Sequence, residues 1–153
     1  MNRDLTEIQL TSFNLGENLY AVDIMRVKEI VLPQKIFCLP RESQILEGVI
    51  NLRNVVIPVM DMRKRFSMPQ LKDDNLGKFL VISLVQQLLA LVVDDVLEVI
   101  TVPVSEIKPP PDIADGIGAE FLLGVCLYAD RVYMLLDIDS LLGPADFREI
   151  ANC

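Results

Sequence analysis

The chain of 153 residues has no histidine and no tryptophan, only three cysteines, and aromatics at just 6%. Without histidine there is no side chain that ordinarily titrates near neutral pH, so proton transfer would fall to carboxylates, lysines, tyrosines or thiols. Cys38, Cys126 and Cys153 are widely spaced and form no CxxC pair, so neither a structural nor a catalytic zinc site has its ligands. Cys38 and Cys126 read as reduced, small, buried apolar residues, and Cys153 as an exposed terminal thiol.

Positive charge is also scarce. Fourteen Lys and Arg stand against 22 Asp and Glu, a net charge of −8, and only Arg63-Lys64-Arg65 clusters. Nucleic acid is excluded as a partner, because neutralising phosphates needs a basic footprint. The longest apolar run, Phe79 to Val93, is fifteen residues broken by Ser83, Gln86 and Gln87. A bilayer-spanning helix needs roughly 20, so direct membrane insertion is not expected. The opening Met1-Asn2-Arg3-Asp4-Leu5-Thr6-Glu7 carries no apolar signal core, and the expected location is cytoplasmic.

What the chain has is aliphatic: 52% hydrophobic residues and a mean hydropathy of +0.39. With few aromatics, β-branched residues and leucine must build the core, which suits sheet and leaves apolar surface for contacts. The chain also repeats itself. Gly48-Val49-Ile50-Asn51-Leu52-Arg53-Asn54 followed by Val55-Val56-Ile57-Pro58-Val59-Met60-Asp61-Met62 is echoed by Gly124-Val125-Cys126-Leu127-Tyr128-Ala129-Asp130 and Arg131-Val132-Tyr133-Met134-Leu135-Leu136-Asp137-Ile138. Gly48 and Gly124 are 76 positions apart, as are Asp61 and Asp137. Two similar units are expected, and at roughly 70 residues each they must lean on one another.

Each half opens on a hairpin, with Leu15-Gly16-Glu17-Asn18 and Val85-Gln86-Gln87-Leu88 at the turns. A Val-x-Glu segment follows in both, with Val27 and Glu29 lying 69 positions before Val96 and Glu98. Pro-bearing connectors follow at 32–40 and 102–111, and residues 67–78 form the linker between halves. Asp61 and Asp137 look like N-caps of short helices. Strands spaced by about ten residues, with turn signals between, favour an all-β barrel or sandwich.

Candidate chemistry is thin. Asp94 and Asp95 are adjacent on a strand and point to opposite faces, so they do not form a catalytic dyad. Asp137-Ile138-Asp139-Ser140 runs into Leu141 and Leu142, where a calcium loop would need oxygens. Gly116-Ile117-Gly118 lacks the pattern of a phosphate-binding loop. No catalytic residue, metal ligand or cofactor is assigned. Glu29 interrupts an apolar strand and Arg53 lies at a turn between two apolar strands; periodicity leaves open whether they merely face water, pair with each other or meet a partner.

Taken in order, Phe13-x-Leu15-Gly16, Tyr20-Ala21-Val22-Asp23-Ile24, Val27-x-Glu29-Ile30, Leu39-Pro40, Gly48-Val49-Ile50-Asn51-Leu52-Arg53, Ile57-Pro58-Val59-x-Asp61-Met62-Arg63, Val92-Val93-Asp94-x-Val96 and Ile107-Lys108-Pro109 resemble the CheW-like coupling proteins of bacterial chemotaxis. The resemblance implies a CheW-like domain over 9–143 with tails at 1–8 and 144–153. It implies two SH3-like five-stranded β-barrel subdomains sharing a core, roughly 9–68 and 78–143, with strand exchange between them allowed and with short helices. The implied function is that of a non-catalytic adaptor, or scaffold, located at membrane chemoreceptor arrays. It would couple the cytoplasmic tip of methyl-accepting chemoreceptors to the regulatory domain of the histidine kinase CheA in signal transduction. A coupling module of a non-flagellar array, controlling pili, biofilm or gene expression, is the alternative.

By position, the resemblance places Val27, Glu29, Val96 and Val99 at the receptor groove. Asn51 and Arg53 fall in a functional turn, and Lys108 and Ile113 at a kinase-domain contact. The chain departs from the family in having Asn54 after the Asn-Leu-Arg, Asp95 where glycine is common, and Ala90 in place of a strand glycine. Asn54 still tolerates a positive φ.

Overall fold

The computed structural model describes residues 6–38, 46–69, 77–85, 87–110 and 119–142. Ten strands run through them: β1 Glu7–Leu15, β2 Asn18–Asp23, β3 Val27–Val31, β4 Leu46–Leu52, β5 Val55–Asp61, β6 Lys78–Ser83, β7 Leu88–Val93, β8 Asp95–Pro103, β9 Leu122–Tyr128 and β10 Arg131–Leu136. One short helix, α1, spans Met62–Arg65, and single 3-10 turns cover Ile24–Arg26, Val104–Glu106, Ala119–Phe121 and Ile138–Ser140. The strands form two five-stranded sheets of SH3-like type, ordered β8-β1-β2-β10-β9 and β3-β6-β7-β5-β4.

The two halves trade their opening hairpins. β1–β2 joins the sheet of β8, β9 and β10, while β6–β7 joins that of β3, β4 and β5. Each borrowed hairpin is held on one side by an antiparallel pairing, β1 to β8 and β6 to β3, and on the other by a parallel one, β2 to β10 through Leu19 to Ala21 and β7 to β5 through Ala90 to Val92.

The exchange explains why β6 and β7 are apolar almost without interruption. A strand buried on both faces has no polar alternation to show. Phe79 and Val81 of β6 point into the interior of one barrel, while Leu80 and Ile82 point into a core shared with the other barrel. β1 is divided likewise, with Leu10 inside the barrel of β8, β9 and β10, and Phe13 and Leu15 in the shared core. Four of the nine aromatics gather in that shared core. Phe13, Tyr20, Phe66 and Phe121 form a row with successive ring centroids 5.6, 5.4 and 5.8 Å apart. Burial pushes the Tyr20 hydroxyl above its usual pKa.

The repeated Gly-Val has a steric reason. The Pro-bearing connector before each copy passes over it and makes a two-residue bridge: Phe37 to Val49, with N–H···O distances of 2.7 and 2.8 Å, and Lys108 to Val125, both 2.8 Å. A Cβ on Gly48 would lie 2.2 Å from the Phe37 carbonyl oxygen, and one on Gly124 would lie 2.6 Å from that of Lys108. The hairpin turns that follow are also alike. Arg53 and Asn54 have φ of 51° and 67°, Ala129 and Asp130 have 51° and 63°, and two consecutive positive φ values are the signature of a type I′ turn.

Two sequence expectations need correction. Asp61 caps α1, its carboxylate accepting the Arg63 N–H at 3.0 Å, but the Asp137 side chain caps nothing. There the main-chain oxygen of Asp137 takes both the N–H (3.0 Å) and the hydroxyl (2.7 Å) of Ser140, closing a 3-10 turn. Cys126 is buried as expected, but Cys38 is exposed, because the connector carrying it lies over the sheet edge. Cys153 falls outside the described residues.

Candidate interaction surface

Val27 and Val96 occupy matching places. Each stands at the start of a strand the chain enters on passing from one sheet to the other, and each is half-buried against the shared core. Each strand then bulges. On β3, Val27 faces Ile82 and Glu29 faces Val81, so Lys28 is the extra residue. On β8, Val96 faces Phe13 and Val99 faces Thr11, so two residues oppose Ser12 alone. The buried Ser12 hydroxyl fills the gap by donating to the Glu98 carbonyl at 2.6 Å. A bulge bends a strand and re-aims its side chains. Here it leaves Ile30 (48%), Leu97 (36%) and Val99 (47%) exposed beside valines that remain anchored in the core.

Glu29 and Arg53 do pair: the guanidinium donates from Nη2 to Oε2 of Glu29. β3 and β4 are opposite ends of one sheet, so this contact joins β3 to the tip of the β4–β5 hairpin and ties the barrel end. The Arg53 side chain remains 69% exposed. An ion pair this open is worth at most about 1 kcal/mol to stability. Asn51 is exposed on β4 opposite Val56, itself 62% exposed. In the second copy Ala129 stands where Arg53 does, so only one of the two turns carries a charge at this place.

Lys108 is exposed; its backbone is fixed by the bridge to Val125, and its ammonium donates to the Ser105 carbonyl at 3.0 Å. Ile113, assigned with it, lies outside the described residues, as do Leu39 and Pro40. Asp95, the residue found where glycine is common, is offset by Lys78 at 3.4 Å and accepts the Val96 N–H at 2.9 Å. It therefore adds little free negative charge beside Val96.

Sequence reasoning missed a second set of charges beneath this surface. Arg63 of α1 donates from Nε and Nη2 to the two oxygens of Asp94 at 2.7 and 2.5 Å, and the Gly16 N–H donates to the same carboxylate at 2.7 Å. Both side chains are nearly enclosed, and the guanidinium beside Asp94 holds its carboxyl below the usual aspartate pKa. Asp61 goes the other way: burial raises its pKa, against its hydrogen bond from Arg63. The sequence signal was faint, since Arg63 read as part of a basic cluster and Asp94 as half of an Asp-Asp pair. Among the described residues no group of His, Cys, Asp and Glu is arranged to hold a metal ion, and no helix is long and apolar enough to cross a membrane.

The family profile described as CheW-like domain matches residues 9–145. The chain belongs to the CheW-like family. Across 95% of its length it is 35% identical to the chemotaxis protein CheW of Treponema pallidum (strain Nichols), covering 88% of that protein. It is 29% identical over 92% of its length to the chemotaxis protein CheW of Klebsiella aerogenes, covering 84% of it. The crystal structure of the scaffolding protein TtCheW from Thermoanaerobacter tengcongensis superposes with a TM-score of 0.82 at 29% identity, covering 94% of this chain and 92% of that one. The CheW-like fold thus accounts for the exchanged hairpins and the paired barrels, and the bulged strands present a part of the exposed apolar surface, at Ile30, Leu97 and Val99.

Proposed function

We propose that the chain acts as a non-catalytic adaptor that couples the cytoplasmic tip of methyl-accepting chemoreceptors to the regulatory domain of the histidine kinase CheA. It would work in the cytoplasm at membrane receptor arrays. The observation that carries this reading is the pair of bulged strands: Val27 and Val96 anchored on one shared core, exposed Ile30, Leu97 and Val99 around them, and the Glu29–Arg53 pair at the edge. Apolar side chains supply the affinity of such a surface, and the charges set register and reject wrong partners. As a non-catalytic adaptor, the protein would change kinase output only by binding receptor and kinase states unequally.

The direct test is co-sedimentation with a receptor tip fragment and with the kinase regulatory domain; absence of binding to both at tens of micromolar would overturn the reading. Glu29→Arg is expected to weaken receptor binding at least tenfold while moving stability by no more than about 1 kcal/mol, since the pair is solvent-screened. Adding Arg53→Glu restores an opposite-charge pair and is expected to recover part of the binding; a thermal collapse in the single variant would show a structural role instead. Lys108→Glu is expected to weaken the kinase domain and leave receptor binding unchanged, as titration calorimetry with each partner would show.

A further inference from the structure

The chain passes between the two sheets only twice among the described residues, from β2 to β3 and from β7 to β8. Each passage is gripped by one arginine–aspartate pair that also takes hold of the opposite sheet. At the first, Arg26 donates from Nη1 and Nη2 to the two oxygens of Asp139 at 3.2 and 2.7 Å, and from Nε to the Ser83 carbonyl at 2.8 Å. Asp139 follows β10 of one sheet, and Ser83 ends β6 of the other. At the second, Arg63 follows β5, grips Asp94 in the passage itself, and through that carboxylate reaches the Gly16 N–H in the β1–β2 turn of the other sheet. Arg63 also donates from Nη1 to the Pro69 carbonyl at 2.7 Å.

The two grips are related contacts with their charges inverted, one member at an equivalent place and the other shifted by one residue. Arg63 and Asp139 stand 76 positions apart, the spacing that relates Asp61 to Asp137, so they hold equivalent places after the last strand of each copy. In one copy the passage supplies the arginine and the post-strand turn the aspartate; in the other the roles are reversed. Val27 is the residue after Arg26, and Val96 is two residues after Asp94. A two-pronged guanidinium–carboxylate contact fixes orientation as well as distance, which a lysine cannot reproduce.

We infer that Arg26–Asp139 and Arg63–Asp94 are positioning pairs that set how Val27 and Val96 are presented to the receptor, an inference that rests on the receptor surface proposed above. Neither pair needs to touch the receptor. Each fixes the path by which its valine enters a strand, and thereby the spacing of the two valines over the shared core.

The test is Arg26→Lys and Arg63→Lys in the full chain, which keep the charge and lose the fork. Receptor-tip affinity is expected to fall about tenfold in each, kinase-domain affinity to stay within twofold, and methyl NMR shifts to move at Val27 in the first variant and at Val96 in the second. Arg26→Lys keeps the experiment readable if Arg63→Lys folds poorly, because the Arg26 and Asp139 side chains are 32% and 44% exposed. Unchanged receptor affinity, or parallel loss of both affinities with the melting temperature, would overturn the inference. Should the unaltered protein bind no receptor tip, the functional reading fails on its own; valine shifts unmoved in the variants would then overturn the positioning role separately.

Discussion

Gly48→Ala is expected to be among the most damaging single substitutions in the chain, costing about 3 kcal/mol or more in chemical denaturation. The new Cβ would sit 2.2 Å from the Phe37 carbonyl oxygen and 2.8 Å from Ile36 Cγ2, and the backbone there has φ of +148°. The connector cannot retreat without giving up both Phe37–Val49 hydrogen bonds. Gly124→Ala is the built-in comparison. Its Cβ meets the Lys108 carbonyl at 2.6 Å, but the residue is not at positive φ. It should therefore destabilise less than Gly48→Ala, by roughly the 1–3 kcal/mol that a strained backbone conformation costs. Equal losses would show that the connector clash alone explains the repeated glycine.

Arg63→Ala is expected to cost about 3 kcal/mol at pH 7, because it strands the nearly enclosed Asp94 carboxylate without its counter-charge. The pH dependence follows from the lowered pKa of Asp94. A carboxylate whose folded pKa is depressed stabilises the fold above its unfolded pKa of about 3.9, and that contribution is lost as pH falls through the folded value. The gap between the two proteins should stay nearly constant from pH 8 to 5. It should then close as the pH falls below about 4 and on through the depressed folded pKa of Asp94, where the carboxylate beside Arg63 finally takes up its proton. A gap that persists unchanged at pH 2 would assign the loss to packing of the Arg63 stem instead. Denaturant titrations at fixed salt, repeated across this range, give the answer.

The fold was legible in the sequence where local pattern dictates it. The hairpin turns at Gly16 and Gln87, the doubled Gly-Val, the paired Val-x-Glu segments and the Asp61 cap follow from turn chemistry, periodicity and side-chain hydrogen bonding over a few residues. The Glu29–Arg53 pair is beyond the reach of local pattern, since the contact crosses 24 positions and joins opposite ends of a sheet. Asp137 shares the sequence position of a cap but not the hydrogen bond, because a cap depends on the side chain's rotamer. The exposure of Cys38 depends on where its connector lies, which residue type does not encode.

The sequence by itself determined that this chain is duplicated, built of strands, supplied with little acid–base chemistry, and similar throughout to the CheW-like family. Tertiary structure alone decided that the halves exchange hairpins. Two copies with the same apolar pattern accept one another's strands as readily as their own, and only packing around the shared core discriminates. It also decided the charge-inverted pairs, whose members lie 113 and 31 positions apart, because a guanidinium and a carboxylate at such separations carry no local signature of their meeting.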